Sequence, residues 1–76
     1  MGLSKVQRAM ILHLHDEGDD VPANISEATG YHRNSVVRAA KPLLERGLVE
    51  NKGRGVYRLT EDGRQTARDL KNRGVQ

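Results

Sequence analysis

The segment Tyr31–Thr60 runs YHRNSVVRAAKPLLERGLVENKGRGVYRLT and carries the pattern from which the fold follows. Its first half predicts a basic helix over about 32–46, with Val36, Ala40, Leu43 and Leu44 recurring at steps of four and three on one face. Gly47 stops that helix, because a glycine just past the last turn takes the left-handed conformation that closes helix ends. Leu48–Asn51 and Val56–Leu59 predict two short strands. Lys52-Gly53-Arg54-Gly55 is the tight turn between them, its two glycines supplying positive φ. Alternation turns Tyr57 and Leu59 inward, and Val56 and Arg58 outward. Pro42 is the local anomaly. Inside a helix it removes a backbone hydrogen bond and crowds the carbonyl four residues back, at a cost of about 3 kcal/mol. Helical patterning on both sides of it predicts a kink rather than a break.

The charge follows the same division. Between Tyr31 and Arg58, seven cations (Arg33, Arg38, Lys41, Arg46, Lys52, Arg54, Arg58) stand against Glu45 and Glu50, a net +5. Residues 1–30 hold Lys5 and Arg8 against Asp16, Glu17, Asp19, Asp20 and Glu27, a net −3. Arg outnumbers Lys 9 to 4, which favours planar, bidentate contacts to phosphate or guanine. A basic segment of defined shape predicts a polyanion as partner.

Outward from the stretch, Ser4 and Gly18 bound a first helix over about 5–17, with Val6, Met10, Ile11 and Leu14 on one stripe and Leu12 off it. Pro22 suits the first position of a second helix reaching about Thr29, from which Ile25 and Ala28 are expected to face the core. Gly30 then reverses the chain. On the other side, Thr60 caps a last helix over about 61–72, with Glu61 and Asp62 favourably placed at its N-terminus. Only Ala67 and Leu70 are apolar on it. His13 and His15, two apart, share no helix face, so they cannot form a metal pair and are expected at the surface. Arg64, Arg68 and Lys71 read as a solvated face.

Seventy-six residues make one domain, 1–76, in the mainly α (α+β) class. Without Phe, Trp or Cys, the core is built from small aliphatic side chains with Tyr31 and Tyr57, and no disulfide or thiolate site supports it. Such a core leaves roughly 3–5 kcal/mol of net stability. Burial against a second copy would add to it, a physical reason to expect a homodimer. No signal peptide or membrane-length apolar run is present, so a cytoplasmic protein is expected. Met1-Gly2 starts like a myristoylation signal, but Val6 stands where Ser or Thr is wanted.

A helix followed at once by a small basic hairpin suits a DNA major groove and the backbone beside it. The face of the third helix opposite Val36, Ala40 and Leu43 carries Arg33, Asn34, Val37, Arg38 and Lys41. Residues in the first turns of such a helix read base edges. Arg33 or Arg38 could bind a guanine and Asn34 an adenine, each through two hydrogen bonds, and Val37 could meet a thymine methyl. His32, Ser35 and Lys41 suit phosphates, Ser35 partly through its place near a helix N-terminus. Lys52, Arg54 and Arg58 would add backbone or minor-groove contacts. Arg46, at the helix end, reads as a cation opposing the helix dipole.

The order helix, helix, tight turn, helix, hairpin, helix resembles a winged helix-turn-helix domain of the MarR type, and more closely the short archaeal and phage-repressor-like members of that fold. The resemblance rests on Met10-Ile11 with Leu14 before Gly18, and on Ile25-Ser26-Glu27-Ala28-Thr29-Gly30. It continues through Val36, Leu43, Glu45-Arg46-Gly47-Leu48-Val49 and Gly55-Val56-Tyr57-Arg58-Leu59-Thr60-Glu61-Asp62-Gly63, and so spans residues 6–70. It implies a recognition helix over about 32–46, a wing over about 48–59, and a transcription regulator, a repressor among the candidates, bound to double-stranded DNA. Full MarR-type proteins are about twice as long and dimerise through long terminal helices that also shape an effector pocket. Those helices have no counterpart in these residues, and Asn51-Lys52-Gly53-Arg54 lacks the acidic residue that braces an arginine in their wing. The resemblance therefore implies neither ligand sensing nor that mode of dimerisation, and no small-molecule ligand, metal or other cofactor is expected.

The competing reading is a winged-helix module used for protein or RNA contact within a larger complex. An enzyme is not expected. The chain shows no nucleophile–base–orienter set and no metal-ligand spacing, and Gly53-Arg54-Gly55 is too short to cradle phosphates.

Overall fold

Ser4 opens the first helix, α1 (Lys5–Glu17), with a reciprocal cap: its Oγ accepts from the Gln7 N–H at 3.1 Å, and Gln7 Oε1 accepts from the Ser4 N–H at 2.9 Å. The computed structural model describes residues 2–74, so Met1, Val75 and Gln76, part of the expected 1–76 domain and of the Met1-Gly2 reading, lie outside the described residues. Helix α2 (Pro22–Thr29) starts on proline and ends at Gly30 in the left-handed conformation. Helix α3 (Arg33–Glu45) runs unbroken through Pro42, then closes at Gly47, φ 73°, where the Leu48 N–H reaches the Leu43 carbonyl at 3.0 Å.

Strands β1 (Val49–Asn51) and β2 (Tyr57–Leu59) pair antiparallel, Val49 opposite Leu59, Glu50 opposite Arg58 and Asn51 opposite Tyr57. Helix α4 (Glu61–Gly74) follows at once. Thr60 joins the hairpin's two ends: its Oγ1 donates to the Gly47 carbonyl at 2.6 Å, accepts from the Gly63 N–H at 3.0 Å, and its own N–H donates to the Leu48 carbonyl at 3.1 Å. These elements make the expected winged helix-turn-helix architecture, four helices and a two-stranded hairpin.

One side chain from nearly every turn fills the core: Met10, Ile11 and Leu14 from α1, Ile25 from α2, Val36, Ala40 and Leu43 from α3, then Leu48, Val49, Tyr57, Leu59 and Ala67. Helix α1 packs on both α3 and α4, and α2 on α3. Gly63 sits buried where α4 crosses the start of the hairpin; a Cβ there would lie 2.0 Å from the Leu48 carbonyl oxygen. No side chain fits that crossing.

Three expectations need correction. Ala28 is exposed, because the inward stripe of α2 steps by four from Ile25 to half-buried Thr29, whose Oγ1 bonds the Ile25 carbonyl at 2.7 Å. Leu44 is 36% exposed, since the stripe Val36, Ala40, Leu43 already fills the inward arc. His13 is not at the surface: its side chain is only 10% exposed, and its Nε2 lies 2.8 Å from Asp20 Oδ2.

Candidate nucleic-acid interface

The outward side of α3 is populated as its period requires. Val36, Ala40 and Leu43 are 0% exposed, which turns Arg33, Asn34, Val37, Arg38 and Lys41 to solvent. Val37 is 46% exposed, an aliphatic side chain with no core to enter. Ser35 is half-buried on the flank. His32 is the N-cap residue, and its Nδ1 accepts from the Asn34 backbone N–H at 3.1 Å. That bond commits Nδ1 of this exposed residue and leaves its Nε2 unbonded among the described residues. Arg33, Arg38 and Lys41 make no ion pair among the described residues.

The wing divides its cations. Arg54 stands exposed at the tip, without an ion pair among the described residues, at φ 55° between Gly53 at 119° and Gly55 at 75°. Positive φ was expected of the glycines alone; the turn demands it of the arginine too. Lys52 and Arg58 are engaged. Lys52 Nζ donates to Asp19 Oδ2 at 2.9 Å, and Arg58 to Glu50 Oε2 at 3.0 Å, directly across the two strands. Asn51 Oδ1 accepts from the Gly53 N–H at 2.8 Å, which shapes the turn.

Sequence reading missed what holds the wing in place. Asp20 pairs backbone to backbone with Tyr57: the Tyr57 N–H donates to the Asp20 carbonyl at 2.8 Å, and the Asp20 N–H to the Tyr57 carbonyl at 3.1 Å. The Asp20 carboxylate meets His13 on α1 and accepts from the Val21 N–H and Asn24 Nδ2, both at 2.9 Å. Burial alone would raise the Asp20 carboxyl's pKa, but the bonds from His13, Asn24 and Val21 outweigh it and hold the value below 3.8. Asp20 thus ties α1, the start of α2 and the wing at one point. The available signal was Asp19-Asp20 ahead of Pro22, but nothing local says that this turn lies against a strand 37 residues later.

Elsewhere, α4 carries Arg64 and Arg68 against Glu61, and Lys71 against Asp16. The Lys71 hydrogen bond, then that of His15, lowers the Asp16 pKa. A surface cavity of about 250 Å³ brings Arg8, Arg46 and Arg73 together around Leu3, Leu48 and Leu70, and none of the ten predicted DNA-facing residues lines it. Among the described residues, no cluster of His, Cys, Asp and Glu could hold a metal ion, and no helix is long and apolar enough to cross a membrane.

No family model and no curated protein matches the chain by sequence. Solved structures match it in fold. A MarR family regulator from Neisseria meningitidis superposes with a TM-score of 0.82 and 26% identity, covering 95% of this chain and 55% of that one. A variant of ZitR from Lactococcus lactis gives 0.82 and 22%, covering 95% and 53%. A transcriptional regulator of Thermotoga maritima gives 0.81 and 20%, covering 95% and 54%. The chain spans about half the length of these structures.

Proposed function

The chain has a MarR-like winged helix-turn-helix fold, and from that premise we propose that it is a transcription regulator that binds double-stranded DNA sequence-specifically, with α3 in the major groove and the wing on the backbone and adjacent minor groove. The observation that carries this is the state of α3. Its inner face is fully buried, while Arg33, Arg38 and Lys41 stand exposed and without ion pairs among the described residues, around exposed Asn34 and Val37. A helix with one buried face and one basic, uncommitted face has the width and charge for a groove.

In this reading Arg33, Asn34, Val37 and Arg38 read bases, and His32, Ser35 and Lys41 hold phosphates. Arg54 enters the minor groove, with Lys52 and Arg58 as further anchors. Two copies on one duplex would read half-sites about 34 Å apart, one helical turn. Selection of bound fragments from random duplex DNA tests the proposal. It predicts one enriched motif, palindromic if the protein binds as a dimer; fragments that persist without any enriched motif would count against sequence-specific recognition.

A further inference from the structure

Two of the wing's three cations are already held by carboxylates of the same chain, and by carboxylates of different origin. Glu50 lies opposite Arg58 in the strand register, so that pair belongs to the hairpin itself. Asp19 comes from the turn between α1 and α2, 33 residues before Lys52, and is carried to the wing by the Asp20–Tyr57 backbone pairing beside it. Both pairs are partly open to water, with side chains 37–49% exposed. Neither has a buried site to stabilise. Arg33, Arg38, Lys41 and Arg54, by contrast, carry no carboxylate among the described residues.

We propose that Asp19 and Glu50 are specificity-determining residues: they occupy Lys52 and Arg58 until a closely docked phosphate backbone displaces them. This rests on the DNA-binding reading above. A carboxylate and a phosphate oxygen offer the same acceptor to the same ammonium or guanidinium group, so they compete for it. In a loosely seated, non-cognate complex the phosphates stay too far away to compete with contacts of 2.9 and 3.0 Å, and the carboxylates themselves repel the backbone. When α3 is fully seated on its own sequence, the wing is pressed against the backbone and the exchange takes place. The repulsive element thus penalises wrong sites more than the right one, which is how discrimination is built by disfavouring competitors. Exposed pairs of this kind exchange at little cost, which suits a contact that must open.

The test uses Asp19→Asn and Glu50→Gln, near-isosteric changes that free one cation each. The control is Glu61→Gln, which removes the same charge and frees Arg64 and Arg68 on α4 instead. Affinity for a duplex selected by the parent and for a shuffled duplex of equal length is measured across salt concentrations. Each wing variant is expected to bind the shuffled duplex about 2–5-fold more tightly, with a smaller gain on the selected one. Its salt slope on shuffled DNA should steepen by up to about 0.9, one further phosphate neutralised. Equal gains from Glu61→Gln would show a mere net-charge effect and overturn the inference. Unchanged affinity and slope in both wing variants would overturn it too, leaving the DNA-binding reading intact. If the parent binds neither duplex, that reading fails first.

Discussion

At the scale of single residues, Gly63 has the least room of the described glycines. Its place under the Leu48 carbonyl leaves no room for a Cβ, so Gly63→Ala is expected to cost about 2–3 kcal/mol by overpacking, most of what so small a core can supply. A urea titration reads this directly as a lower midpoint. Arg54 poses the opposite case, because its φ of 55° is left-handed. Such a conformation costs a non-glycine residue about 1–2 kcal/mol, and an arginine kept there earns no packing in return. Arg54→Gly should therefore raise thermal stability while weakening DNA binding, two shifts of opposite sign from one substitution. Asp20 sets an acid limit. Its folded-state pKa is depressed below the ordinary carboxylate value, so its contribution is present above the unfolded value and is lost as the pH falls through the folded one. Stability measured from pH 5 down to pH 2 should fall less steeply in Asp20→Asn than in the parent.

At the scale of elements, α3 was readable almost entirely from its own residues. The stripe Val36, Ala40, Leu43 names its buried face and Gly47 its end. The helix continues past Pro42 to Glu45, so the helical pattern overrides the missing bond. Pro42→Ala is accordingly expected to stabilise the protein by about 1–3 kcal/mol, seen as a higher midpoint in the same urea titration with an unchanged slope. The wing was legible only in part. Its strands and turn follow from alternation and from Gly53 and Gly55, whereas its attachment depends on partners far off in sequence: Asp20 for Tyr57, Asp19 for Lys52, and Leu48 for Thr60 and Gly63. Periodicity describes a face; it does not say which distant turn will lie against it. For the same reason the burial of His13 is not legible locally, since the Asp20 turn that meets it lies seven residues on.

At the scale of the whole molecule, charge and shape are arranged together. The segment Tyr31–Arg58 is +5 and residues 1–30 are −3, so the dipole of the chain follows the division between α3 with the wing and α1 with α2. Of the acidic residues of that first part, Asp19 is used against Lys52, which joins the two segments through an exposed ion pair, and Asp16 against Lys71 on α4. Of the ten residues expected to meet DNA, four cations remain uncommitted among the described residues: Arg33, Arg38, Lys41 and Arg54. In the proposed function these four act on a polyanion of defined sequence. It is tested most directly by the salt dependence of duplex binding in the parent and in the variant Arg33→Ala/Arg38→Ala/Arg54→Ala. The parent slope is expected at about −3 to −5 per copy, and that of the variant is expected to be shallower by about 2–3, with loss of preference for the selected sequence. Equal affinity, slope and sequence preference in the two proteins would contradict it.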